Sequence, residues 1–160
     1  MLNKQMITLN FLFLKNNYTF YLVDFGTPAY DETVRLRRDI LRIPLGIEFY
    51  AEDLALEYNQ YHLAGYHQNG DLVACLVLKT LSDSEIKMRQ VAVREDLQHK
   101  GIGQLMVTAS EDLSRIMGFK KMVLHARKTA VPFYKKQKYK TSGKEFLEVE
   151  IPHFKMVKNL

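Results

Sequence analysis

The chain has 160 residues, 47% of them hydrophobic, enough for one domain to close its own core without a structural metal or disulfide. Its single cysteine, Cys75, excludes an internal disulfide and fits a reducing, cytoplasmic setting. A formal charge of +5 favours anionic partners, nucleic acid and phosphorylated small molecules alike, without choosing between them.

The first stretch, "MLNKQMITLNFLFLKNN", has an early lysine and a short apolar block that stops at Lys15, with no small-residue cleavage site. It reads as a strand or an N-terminal extension over residues 1–17, not as a signal peptide. No run is long and apolar enough to span a bilayer, so no membrane partner is expected. "NYTFYLVDF" reads as a strand ended by Gly26. Thr27 is placed to cap, and Pro28 to open, a helix over "PAYDETVRLRRDIL" that Pro44 stops near Arg42. "EFYAEDLALEYN" reads as a short helix or ordered loop.

"QYHLAGYHQ" and "DLVACLVLKTL" flank Asn69-Gly70, the dipeptide that favours a tight hairpin turn. Cys75, inside the second of these strands, reads as a small buried hydrophobe. "SDSE" turns the chain again into "IKMRQVAV", giving an antiparallel meander. From Ile102 the period becomes helical, with Ile102, Leu105, Met106, Ala109, Leu113, Ile116 and Met117 on one face and Gly118 at the end. "FKKMVLHA" returns to strand, "TAVPFYKKQ" is a short helix, and "KYKTS" and "EVEIPHFKMV" are two closing strands. The pattern is α/β (α+β): one domain over 1–160 with a mixed, mostly antiparallel sheet and helices on both faces.

Between the strand "MRQVAV" and the Ile102 helix lies "QHKGIG". The free N–H groups of a helix's first turn, and the dipole behind them, suit phosphate, while glycine lets an anion approach the backbone. A tight turn without a ligand is the plain alternative. The spacing fits neither a Walker loop nor a dinucleotide fingerprint.

"VAVREDLQHKGIG" resembles the acyl-CoA segment of the GCN5-related N-acetyltransferases (GNAT), an Arg/Gln-x-x-Gly-x-Gly/Ala loop here occupied by Gln98, Gly101 and Gly103. "HARKTAVPFYKKQKY" is similar to that family's last helix, with Ala130, Phe133 and Tyr134 in matching positions. Two departures stand out: Lys138-Tyr139 where the family has Gly-Phe, and Arg127 where it often has Asn. "EIPHFKM" is similar to the ending of the ElaA-like subgroup.

The resemblance implies acetyl-CoA as cosubstrate, no metal, and a V-shaped cleft where the sheet splays beside the strand ending at Val93. The backbone of Val91, Ala92 and Val93 then holds the pantetheine arm, and the amides of Gln98, His99, Lys100, Gly101, Ile102 and Gly103 the diphosphate. Tyr134 is the expected proton donor to the CoA sulfur. His153, followed by His125, is the expected base toward an amine acceptor. Glu148 and Glu150, read as sharing one strand face, are placed to attract a cationic amine. The five histidines are scattered without zinc spacing, and no hydrolase nucleophile motif is present. Two rivals stand beside this reading: a CoA-binding sensor without turnover, and a basic nucleic-acid-binding domain, against which the absence of any recognition-helix or stacking pattern argues. A homodimer through the final strands is left open.

Overall fold

The computed structural model describes residues 13–160, the first three by backbone alone. Residues 1–12, most of the segment read as an extension, lie outside the described residues. Within that same segment, Phe13–Lys15 (β1) pairs with Tyr18–Val23 (β2), so among the described residues its end is the outermost strand on that side of the sheet.

Thr27 and Pro28 start α1 (Pro28–Leu41) as their chemistry directs: the Thr27 hydroxyl accepts from the Tyr30 N–H at 3.3 Å. The "EFYAEDLALEYN" segment forms α2 (Ala51–Ala55) and then a 3-10 turn over Leu56–Asn59. β3 (Tyr61–His67) and β4 (Leu72–Thr80) make the expected hairpin, but Asn69-Gly70 is not a two-residue turn. The Gly70 N–H donates to the His67 carbonyl at 2.8 Å, and Asn69 Oδ1 accepts from the Asp71 N–H, which lengthens the loop to Gln68–Asp71.

β5 (Glu85–Val93) completes the meander, and α3 (Ile102–Ile116) carries the chain across to β6 (Lys121–Arg127), which lies parallel to β5. After α4 (Val131–Lys136) come β7 (Lys140–Thr141), β8 (Phe146–Glu148) and β9 (Ile151–Asn159). Among the described residues one mixed sheet runs β1-β2-β3-β4-β5-β6-β9-β7, with β8 also on β9. α1 and α3 pack across β4 and β5 from opposite faces; on the α1 side the Cys75 thiol lies 3.7 Å from the Thr33 carbonyl. Burial pushes that thiol up to about 12, so Cys75 is the inert packing residue expected.

Two expectations need correction. "EVEIPHFKMV" is not one strand: Val149 (φ +46°) and Glu150 (φ +62°) form a two-residue turn between β8 and β9. Glu148 and Glu150 therefore do not share a strand face, and Glu150 lies in the turn. Ile116 is 55% exposed, while Val107, Ser110 and Ser114 of α3 are buried. The serines enter the core because their hydroxyls donate to carbonyls of their own helix, Val107 and Ser110, at 2.7 Å.

Candidate active site

β5 and β6 pair only from Glu85–Met88 and Lys121–Leu124, and then part. Two features drive them apart. Gln90 takes φ +51°, and Gln90 and Val91 together oppose Leu76 of β4, a β-bulge that bends the strand. β6 meanwhile stays paired with β9 to its end, so the sheet splits along one seam. The result is a cleft of about 610 Å³, lined on one side by Val91, Gln98 and His99 and on the other by Leu124–Arg127, with Tyr134 and the β8–β9 hairpin beside it.

A left-handed non-glycine residue inside a strand is costly, so something must hold Gln90. The Gln90 Oε1 accepts from the Arg37 Nη1 at 2.8 Å. Arg37 is fully buried on α1 and forks onto Glu57, with Nη1 and Nη2 at 2.8 and 2.9 Å from its two carboxylate oxygens. The Tyr30 hydroxyl also donates to Glu57 at 2.9 Å. Burial alone raises the Glu57 pKa, but the Arg37 hydrogen bonds and charge, with the Tyr30 bond, outweigh it and hold the carboxyl below its ordinary range. None of this was read from the sequence. The available signal was the spacing Tyr30, Thr33, Arg37, which puts a cation on the buried face of α1.

At the strand-to-helix loop, the Gln98 side chain donates to the Val93 carbonyl at 3.1 Å and ties the loop to the end of β5. His99 (φ +62°) and Gly101 (φ +85°) are left-handed, with open space before Gly101. At Gly103 an added Cβ would make ordinary contact with the Phe133 ring at 3.4 Å and Val93 at 3.6 Å, so the packing of α3 against α4 does not itself demand glycine there. Lys100 is exposed on the loop; Ala92 and Ile102 are each 1% exposed, and Val93 is half-buried.

Tyr134 is 8% exposed, and burial pushes its hydroxyl up to about 12, so it stays a neutral donor at pH 7. No protein group among the described residues takes that hydroxyl. α4 ends in a Schellman motif: the Tyr139 N–H donates to the Tyr134 carbonyl and the Lys138 N–H to the Lys135 carbonyl, with the Tyr134 and Tyr139 rings edge-to-face. Lys138 takes the left-handed place at φ +74°, so Lys138-Tyr139 makes the turn that Gly-Phe would.

His125, Glu148 and His153 come together on the far wall of the cleft. The His153 Nδ1 lies 2.7 Å from the Ile151 carbonyl, which only accepts, so Nδ1 carries a proton, and the other ring nitrogen, Nε2, lies 3.6 Å from Glu148. His125 Nδ1 is 3.1 Å from both Lys87 Nζ and Glu148 Oε1 and serves one at a time, accepting from the lysine or donating to the carboxylate. Burial tends to raise the Glu148 pKa, but the His125 hydrogen bond and the charges of His125, His153 and Lys87 hold it low. Burial lowers that of Lys87.

The sheet is mixed and splits between two parallel strands, beside a glycine turn that opens α3. The match is direct: residues 48–160 fit the acetyltransferase (GNAT) domain, and the chain belongs to that family. YjcF of Bacillus subtilis (strain 168), named an uncharacterized N-acetyltransferase, is 35% identical over 80 residues, 49% of this chain and 57% of that protein, so the matched segment spans little more than half the relative's length. A GNAT-family acetyltransferase structure from Elizabethkingia anophelis with acetyl-CoA bound has a TM-score of 0.68 at 19% identity, covering 91% of this chain and all of that one. Escherichia coli ElaA has a TM-score of 0.71 at 18% identity, covering 87% and 97%. At these identities the two structures share the fold. Among the described residues no helix is long and apolar enough to cross a membrane.

Proposed function

We propose that the protein transfers an acetyl group from acetyl-CoA directly to a primary amine, with both substrates in the cleft between β5 and β6. The parting of these strands after Met88 and Leu124 carries the reading, because it leaves one edge of β5 without a strand partner, next to the loop that opens α3. The Elizabethkingia relative, with acetyl-CoA bound, supports it. The residues fit the cosubstrate: the β5 edge offers the backbone of Val91, Ala92 and Val93 to a pantetheine arm, and the open space before Gly101 leaves room for a diphosphate at the amides of His99 to Gly103, whereas the Gln98 N–H is taken by the Glu95 carbonyl at 3.3 Å.

Acetyl-CoA supplies the activated acyl group as a thioester. The protein's own groups then position and move protons. The amide of Val91 or Val93 stabilises negative charge on the carbonyl oxygen. The Nε2 of His153 takes the amine proton, and Glu148 stabilises the resulting imidazolium; His125, sharing that carboxylate, is the alternative base. Tyr134 donates its proton to the leaving thiolate. The nitrogen–carbon bond forms as the carbon–sulfur bond breaks, and the products are an amide and CoA.

Thermal melting with acetyl-CoA, CoA and duplex DNA tests the binding half: both CoA ligands raise Tm and DNA does not. Tyr134→Phe then lowers thiol release by about a hundredfold or more with CoA stabilisation retained. Full turnover in that variant removes Tyr134 from the mechanism. Stabilisation by DNA alone overturns the reading, and CoA binding without turnover of any amine makes the protein a sensor.

A further inference from the structure

On its α1 side the cleft is lined by three arginines that make no ion pair among the described residues. Arg42 lies just past the end of α1, Arg89 on β5 before the bulge, and Arg127 at the end of β6. Among the described residues none has a carboxylate within 4.0 Å. Arg89 donates to the neutral amide of Gln60 at 3.0 Å, and Arg127 reaches the Leu41 carbonyl at 3.4 Å. Arg42 stacks on the Phe49 ring at 4.6 Å, and its buried Nε has no hydrogen-bond partner. A fourth arginine, Arg37, is neutralised by Glu57 and offers nothing to compensate them.

Half-buried like charges repel, and an orphaned guanidinium N–H costs free energy; both are relieved by an oxyanion in their midst. Burial and the charges of Arg37, Arg127 and Arg89 lower the hold of Arg42 on its proton, and the opposing charge of Asp53, which makes no ion pair with it, does not offset them. The sole carboxylate of the cleft lining among the described residues, Glu148, is engaged with the two histidines on the other wall. The cleft thus has an uncompensated cationic wall and a separate acid–imidazole wall.

Resting on the acetyl-transfer reading, we propose that the acceptor amine carries an oxyacid group, a carboxylate or a phosphate, held by Arg42, Arg89 and Arg127 while its amino group faces Glu148 and His153. A planar guanidinium fork suits either acid, and several forks fix the far end of a small acceptor so that its nitrogen is delivered in one orientation. A neutral amine of the same length gains none of this.

The test compares matched acceptors by thiol release from acetyl-CoA: 4-aminobutyrate against its carboxamide, and O-phosphoethanolamine against ethanolamine. One acid of a pair is expected to exceed its neutral partner in kcat/KM by about ten- to a hundredfold, the scale of one or two charge-assisted hydrogen bonds. Arg42→Gln and Arg127→Gln collapse that ratio by raising the KM of the acid, and Arg42→Lys restores part of it. Equal use of acid and neutral acceptors overturns the inference while leaving acetyl transfer intact. So does a rise in the KM of acetyl-CoA in place of the acceptor's, which assigns the arginines to the CoA phosphates. If no acceptor in the panel turns over, melting of the acetyl-CoA-saturated protein decides. Inorganic phosphate then raises Tm in the parent chain and not in the Arg42→Gln, Arg127→Gln double variant; equal shifts overturn the proposal. Failure of acetyl-CoA itself to stabilise the chain defeats the underlying acetyl-transfer reading and is told apart by that first melt.

Discussion

A buried glutamate lies over each face of the sheet, Glu57 in the 3-10 turn after α2 and Glu111 on α3, and the two are partnered differently. On the α1 face, Glu57 meets a guanidinium that is fully buried and that also grips Gln90 at the bulge. On the α3 face, Glu111 accepts from the Tyr139 hydroxyl at 2.9 Å and from Lys158 at 2.7 Å, with Arg115 at 3.6 Å; Lys158 is 18% exposed and Arg115 42%. The second cluster reaches solvent and has cations to spare. The first is dry and is held by one guanidinium, whose other contact shapes the cleft. The lesson is that the same residue pair, acid with base, staples elements together on one face and sets the geometry of a site on the other.

The sharpest way to break this comparison is to remove one cation from each face. Arg37→Met leaves Glu57 buried and unpaired and is expected to cost about 3–5 kcal/mol. For a chain of this size that lowers Tm by roughly 6–20 °C. Lys158→Met leaves Tyr139 and Arg115 on Glu111 and should cost about 1 kcal/mol or less. The double variant Arg37→Met, Glu57→Gln should recover much of the Arg37 loss, because no buried charge is then orphaned. It should still impair acetyl transfer, since Gln90 loses its anchor. Equal losses from Arg37→Met and Lys158→Met in thermal denaturation would erase the distinction.

A smaller effect sharpens it through pH. Glu57 has a folded pKa below its unfolded value near 4.3, so its stabilising contribution is complete above that unfolded value. It is lost progressively as pH falls from there through the depressed folded value. Urea midpoints measured from pH 6 downward should therefore drop less steeply in the Arg37→Met, Glu57→Gln variant than in the parent chain. Parallel curves would mean that Glu57 contributes nothing to acid lability.

How much of this was legible beforehand follows the same division. Thr27-Pro28, the period from Ile102 and the Asn69-Gly70 hairpin are local signals, and each produced its element. The split seam was not readable from residues alone. "MRQVAV" contains no Gly or Pro, and the bulge is held by Arg37, 53 positions away in the chain. The β8–β9 turn was missed for a related reason: Val149 and Glu150 both take positive φ without the Asn or Gly that announces such a turn. The motif segments placed Val91, Gln98, His99, Tyr134, His125 and His153 around one cleft, but the arginine wall comes from three separate elements with no common spacing.

The smallest effect concerns the turn behind Tyr134, where local preference and observed backbone disagree. Lys138 sits at φ +74° because the Schellman motif needs a left-handed residue there and because the paired Tyr134 and Tyr139 rings fix the turn from both sides. A side chain in that region costs about 1–2 kcal/mol, and glycine removes this at an entropic cost of about 0.5–1 kcal/mol in the unfolded chain. The Lys138 side chain is exposed and makes no ion pair among the described residues, so nothing else is lost. Lys138→Gly is accordingly expected to stabilise the protein by about 0.5–1 kcal/mol and raise Tm by roughly 1–4 °C. Lys138→Ala keeps the Cβ and should give no such gain. If both substitutions shift Tm alike, the strain assigned to this turn is absent, and the backbone here is held by its hydrogen bonds at no conformational cost.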